Sequence, residues 1–143
     1  MPTFCQRLPA DPHADVSYTL ALTAEERQRS RYRYDTTEGE VLLLQLPRGT
    51  VLHQGDLLQA EDESLARVIA KPEPVLTVTG PALDLLRAAY HLGNRHVPLE
   101  ITSAYLRLSP DSVLEAMVQH LGLTVVTELA SFQPETGAYG HHH

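Results

Sequence analysis

Cysteine and basic side chains are scarce in this chain, and each scarcity excludes a class of protein. Cys5 is the only cysteine among 143 residues, so the chain can form neither an internal disulfide nor a cysteine-rich zinc site. The 11 Lys and Arg residues are outnumbered by 18 Asp and Glu, and the net charge of -7 opposes binding to a nucleic-acid backbone. We therefore expect no nucleic-acid partner, and any metal must be bound by histidine or carboxylate.

Long apolar runs and familiar catalytic motifs are also missing. No run approaches the roughly 20 apolar residues that span a bilayer, and the N-terminal stretch MPTFCQRLPADPH lacks the charged and then apolar order of a signal peptide. Phosphate-binding loops, dinucleotide-binding glycines, the nucleophile elbow and the HExxH zinc motif are absent. We therefore expect a cytoplasmic protein without a membrane partner that is not an enzyme, with a small hydrolase as the remaining enzymatic alternative.

The composition is that of a folded chain, and the pattern up to residue 73 is typical of strands. Hydrophobic residues make up 43% of the sequence and charged ones 20%, which is enough apolar matter for packed cores. Short alternating segments are separated by turn residues and predict small antiparallel strands in an all-β domain over residues 1–73. The segments are TFCQRL, SYTLAL, RYRYDT, EVLLLQL, DLLQA and LARVIAK.

A basic cluster follows the second of these segments. Arginine on an edge strand blocks pairing with other chains, so a solvated strand edge is the simpler interpretation. The alternative is a docking surface for an acidic partner. If the protein instead works without metal, we expect the all-β domain to capture partner peptides along a strand edge. The cluster consists of Arg27, Arg29, Arg31 and Arg33.

The segment KPEP, residues 71–74, ends the strand pattern because two prolines flanking a glutamate cannot continue a ladder. We place the domain boundary there. Residues 74–130 then predict the order β-α-β-β-α-β, which is that of a ferredoxin-like domain with two helices on one antiparallel sheet. The fold class is therefore α+β, and residues 131–143 are expected to form a flexible tail that contains histidine.

The first predicted helix carries apolar residues on what the helical wheel gives as one face. It opens at Pro81, which suits a first helical position, and it is expected to stop at Gly93–Asn94. The second helix is expected to be capped by Ser109 and closed by Gly122. The face expected to pack on the sheet comprises Ala82, Leu83, Leu86, Ala89, Tyr90 and Leu92.

Histidine is the residue type left to carry chemistry. His13 and His53 lie in predicted loops, and His120 ends the second helix, where a cation complements the helix dipole. His91 belongs to the polar face of the first helix, and His96 stands in GNRH just beyond the predicted helix end. The terminal HHH is either a native metal-binding tract or the remainder of a purification tag.

The stretch YHLGNRHVPLEI, residues 90–101, resembles the urease accessory protein E family, the nickel metallochaperones of urease maturation. The likeness extends over nearly the whole chain and includes LLLQLPRGTVLHQGDLL and FQPETGAYGHHH. It implies two domains with the boundary given above, and a homodimer in which His96 faces its twofold mate and binds Ni2+. It also implies that the tail residues His141, His142 and His143 bind further metal, and that nickel passes to the GTPase of the urease maturation complex.

Coordination chemistry agrees with such a site. Imidazole suits Ni2+, Zn2+ and Cu2+ better than Mg2+ or Ca2+, so Zn2+ or Cu2+ can occupy the same ligands. One His96 holds a metal weakly, and a twofold axis supplies a second copy without a second motif. The stretch LRLSPDSVLEA has no histidine where some relatives carry one, so extra metal should depend on the tail. The alternatives are a general store or buffer for Zn2+, Cu2+ and Ni2+, and an interaction protein that works without metal.

Overall fold

The computed structural model describes residues 1–136, and their backbone divides into two compact units. The first unit is Met1–Lys71 and the second begins at Pro72. The division falls inside the KPEP segment, where proline lacks the N–H group that a strand ladder needs. Neither helix in the described part of the chain, of 13 and 9 residues, has the length and apolar content to cross a membrane.

The first unit is built from strands and one short 3-10 turn, Glu26–Gln28. Its single sheet has the order β2-β6-β5-β1-β4-β3. The expectation of antiparallel pairing is wrong for two pairs of neighbouring strands. β1 is parallel to β4, and β2 is parallel to β6. Long connections separate the members of each parallel pair along the chain, which is the condition that parallel pairing requires. The strands are β1 Thr3–Leu8, β2 Tyr18–Leu22, β3 Arg31–Asp35, β4 Val41–Gln45, β5 Leu57–Ala60 and β6 Leu65–Ala70.

Side chains along β3 alternate between a face that packs on the core and an exposed face that carries arginine. Tyr32 and Tyr34 pack against the core of the first unit, and Arg31 and Arg33 are exposed on the outermost strand of the sheet. Arg27 was expected to share this surface, but it is buried and its Nε donates to the Leu22 carbonyl at 3.3 Å. Arg31 and Arg33 therefore lie on a solvated strand at the edge of the sheet, whereas Arg27 forms its hydrogen bond inside the unit.

The second unit has strands and helices in the order β-α-β-β-α-β. Its four strands pair antiparallel in the order β10-β7-β9-β8. One face of the sheet, with Leu76 and Val78 in its centre, packs against both helices, whereas the opposite face, which we call the open face, carries polar side chains. The elements are β7 Glu73–Thr79, α1 Ala82–Asn94, β8 Glu100–Ile101, β9 Leu106–Leu108, α2 Ser112–His120 and β10 Thr124–Ala130.

The buried side of α1 differs from the predicted one. Leu85, Ala88 and Leu92 are buried against the sheet, whereas most of the predicted face points to solvent. Both sides of this helix carry apolar residues at helical spacing, so periodicity alone could not select between them. The exposed apolar residues are Leu83, Leu86 and Tyr90, which are 55%, 68% and 67% exposed. We call these three residues the α1 stripe.

The N-terminus of α2 is also capped differently from the prediction. Asp111, rather than Ser109, is the N-cap, and its Oδ1 accepts hydrogen bonds from the backbone N–H groups of Val113 and Leu114 at 2.9 and 3.0 Å. Aspartate is as good an N-cap as serine, and the sequence offers both within three positions. The carboxylate therefore satisfies two donors that the first turn of α2 leaves without partners.

Candidate metal centre

His96 owes its position to the way in which α1 ends. Arg95 is the C-cap, and the N–H of His96 donates to the Gly93 carbonyl at 3.0 Å. The N–H of Val97 donates to the Leu92 carbonyl at 3.2 Å, and these two bonds form a Schellman motif. The first of the two donors is the left-handed residue of such a motif, and His96 has the required φ of 59°.

α1 ends at Asn94, as predicted, but the left-handed residue that follows the helix is His96 and not Gly93 or Asn94. A Schellman motif is stabilised by an apolar contact between the residue after the left-handed position and the last turn of the helix. A stop centred on Gly93 would have put polar Asn94 in that contact. The observed stop instead puts Val97 there, against the core that contains buried Leu92. Packing of Val97 against the core thus explains why His96, and not Gly93 or Asn94, takes the left-handed position.

The imidazole of His96 is exposed at a surface depression of about 300 Å³. The wall across from α1 comes from the connection between β9 and α2, and its Asp111 is the one carboxylate among the described lining residues. No group of three or more His, Cys, Asp or Glu side chains within residues 1–136 is arranged to hold a metal ion. A single copy of the described chain therefore offers one imidazole and an incomplete site.

Each of the other histidines within residues 1–136 is exposed at its own place in the chain. His91 is exposed on α1, and its ring makes an edge contact with Tyr90 at 5.4 Å between centroids. His120 is the exposed last residue of α2, and His13 and His53 are exposed in loops of the first unit. The predicted tail ligands His141, His142 and His143 lie outside the described residues.

The α1 stripe is a feature that sequence analysis assigned to the core. It lies on the same helix that ends beside His96, and its residues follow the i, i+3, i+7 spacing of one helix face. A contiguous apolar patch on an exposed helix is typical of a protein interaction surface. The sequence does contain the signal for this surface, because α1 has a second apolar face. The helical wheel combines residues of that face with buried Leu92.

The left-handed backbone predicts opposite effects of glycine at two histidine positions. At position 96 a Cβ is unfavourable, so we expect His96→Gly to be more stable than His96→Ala by about 1 kcal/mol. At His91, inside α1, we expect His91→Gly to be less stable than His91→Ala by about the same amount. Urea unfolding of the four variants checks this, and the same order at both positions would contradict the assigned helix end.

Comparison with known proteins accounts for both units. The family model "UreE urease accessory protein, N-terminal domain" matches residues 4–71, and "UreE urease accessory protein, C-terminal domain" matches residues 73–143. The proteins named urease accessory protein UreE from Nostoc sp. and Nostoc punctiforme are 58% and 61% identical over 145 residues, covering 100% of this chain and 99% and 98% of theirs. The one from Microcystis aeruginosa is 56% identical over 150 residues, covering 100% of this chain and 95% of its own. The chain thus belongs to the UreE family of urease accessory proteins, which act as chaperones in urease maturation and are not enzymes.

Proposed function

We propose that the chain is a nickel metallochaperone that delivers Ni2+ for assembly of the urease metallocentre. In this proposal a homodimer binds the metal through one His96 from each protomer, with help from His141, His142 and His143. The observation that carries the proposal is the exposed imidazole of His96 at a rigid helix end where glycine is the usual residue. Backbone conformations of this kind persist where the surrounding structure and the function of the residue maintain them.

The α1 stripe supports the dimer. Three large apolar side chains on one exposed helix face would be covered by a second copy of the same face, since a twofold interface is self-complementary. The stripe ends at Tyr90, six residues before His96, which follows the end of the same helix. A twofold axis near the C-terminal end of α1 would therefore bring two His96 residues to one metal.

Incomplete coordination supports delivery rather than storage. Two imidazoles leave several positions of a nickel ion open, and mobile ligands or a partner's ligands can fill them in turn. A general store or buffer for Zn2+, Cu2+ and Ni2+ is the alternative, because the affinity order of divalent metals favours Cu2+ over Ni2+. Competition between these metals for one preparation distinguishes the two functions.

The first unit would serve partner recognition in this proposal. Its outer strand β3 presents main-chain groups on one side together with exposed Arg31 and Arg33, a surface suited to an extended acidic segment. The expected partners are the urease accessory GTPase and the maturation complex, and the expected location is the cytoplasm. The second unit, which we assign to the ferredoxin-like class from its strand order 4-1-3-2, would carry the metal.

Nickel titration calorimetry tests the shared site. For a chain that ends at Gly140 we expect about one Ni2+ per dimer, because His96 is then the principal ligand left. His96→Ala in the same shortened chain should abolish this binding. His91→Ala is the matched control, since His91 is an exposed imidazole on the same helix and should leave binding unchanged. Equal binding with and without His96, or no binding by the shortened chain, would contradict the proposed site.

Sedimentation of Leu86→Glu tests the dimer surface. Each copy would place a carboxylate where the proposal buries a leucine, and full burial of a leucine is worth roughly 1.5–3 kcal/mol. Two copies per interface should weaken the dimer by more than about 100-fold and weaken nickel binding to the shortened chain with it. Leu129→Glu is the control, because Leu129 is 72% exposed on β10 and lies outside the α1 stripe. A Leu86→Glu protein that remains as dimeric as the control would exclude this interface.

A further inference from the structure

The open face of the second unit carries a polar network that joins all four strands. Arg107 on β9 lies in register with Thr77 on β7 and with Glu100 on β8. Its Nε donates to the Thr77 hydroxyl at 3.0 Å, and its Nη2 lies 3.6 Å from the Glu128 carboxylate on β10. Its Nη1 lies 3.9 Å from Oε2 of Glu100, which is only 8% exposed. One guanidinium thus faces two carboxylates, and one of these is buried.

Tyr105 completes the surroundings of that buried carboxylate. The guanidinium of Arg107 lies 4.3 Å from the centre of the Tyr105 ring, and its Nη1 donates to the Tyr105 hydroxyl at 3.2 Å. The hydroxyl in turn donates to Oε2 of Glu100 at 3.2 Å. Burial, followed by the charge of Glu100, raises the pKa of Tyr105, so the phenol remains a donor at neutral pH. Oε2 of Glu100 is therefore held from two sides.

Oε1 of Glu100 contacts a part of the chain that the sequence assigns to the flexible tail. It accepts the backbone N–H of Gln133 at 2.9 Å. Two residues later, the N–H of Glu135 donates to the Leu99 carbonyl at 2.8 Å. Phe132 is 2% exposed. The 132–135 segment is therefore attached to the sheet at β8 and just before it, and the buried carboxylate is the side chain that receives it.

The attachment lies close to His96 along the chain. Leu99 is three residues from His96, and Glu135 is six residues from His141. Fully extended, these stretches span at most about 11 Å and about 22 Å, so the tail histidines can reach His96 from this anchor.

Without the anchor the tail would start at Ala130, the end of β10 and 11 residues from His141. β10 and β8 are opposite edges of the sheet, three strand spacings or about 14 Å apart. The effective concentration of a tethered ligand falls roughly as the −3/2 power of tether length, so a tether of 11 residues instead of six lowers it by about 2.5-fold. The greater distance of β10 from β8 lowers it further. In the proposed function the anchor would therefore raise the effective concentration of the tail histidines at His96.

We propose that Glu100, held by Arg107 and Tyr105, is a positioning residue that fastens the 132–135 segment by its main chain and so presents the tail histidines to His96. The inference rests on the proposed function, because it concerns where the second group of nickel ligands begins. Glu100 itself does not touch the metal in this account. Oε1 of Glu100 accepts a backbone N–H group, so the attachment does not depend on the side chain at position 133.

The substitution Gln133→Pro tests the attachment because it removes the one N–H group that Glu100 receives. The matched control is Thr136→Pro, which introduces the same residue just past the segment. In the absence of metal, we expect the Glu135 amide to exchange its hydrogen at least about tenfold faster in Gln133→Pro than in the control, since a hydrogen bond to a charged group is lost. An unchanged exchange rate at Glu135 would overturn the anchor.

Nickel titration of the same full-length variants tests the consequence. Gln133→Pro should bind Ni2+ about threefold more weakly than the control, whereas chains ending at Gly140 with and without Gln133→Pro should bind equally. Glu100→Gln should weaken full-length binding in the same direction, and Glu128→Gln, which alters the other acid beside Arg107, should not. Faster exchange with unchanged nickel affinity would overturn the positioning role. Absence of nickel binding in every form would refute the proposed function, and the exchange experiment would still report whether the anchor exists.

Discussion

The end of α1 is the constraint on which the site depends. Packing of Val97 against the core fixes where the helix closes, and that closure assigns the left-handed position to His96. The imidazole is thereby presented by backbone with little freedom, although the side chain itself is exposed. The proposed twofold site would gain from such rigidity, because less backbone freedom would be lost when the two halves join.

The proposed function combines two kinds of nickel ligand. The fold fixes the backbone that carries His96, whereas the tail histidines, which lie outside the described residues, would be connected to the second unit through the 132–135 segment, where the N–H of Gln133 donates to Glu100. A fully rigid set of ligands would retain the metal, and a fully mobile set would bind it weakly. In the proposed function, one imidazole of fixed position per protomer together with a short tether would allow the metal to be held and then passed on, as delivery requires.

Much of the architecture follows from the sequence, and the misses have identifiable physical causes. Strand and helix order and the break at KPEP are local signals, carried by periodicity and by proline. The local sequence does not determine which face of α1 is buried, because both faces are apolar. Packing against the sheet buries Leu85 and leaves Leu86 exposed. The left-handed position after α1 depends on a tertiary contact of Val97, and the attachment of Gln133 to Glu100 joins residues 33 apart in the chain. His96 as a metal ligand stays a prediction from the family motif, and the end of α1 explains the position of its backbone.

The most direct test of the central claim is a crystal structure of the chain ending at Gly140, grown with Ni2+ and measured at the nickel absorption edge. We expect one anomalous peak per dimer, on a twofold axis and coordinated by the His96 imidazoles of both protomers. A separate nickel in each protomer, or a peak at His91 or His120 with His96 unliganded, would contradict it.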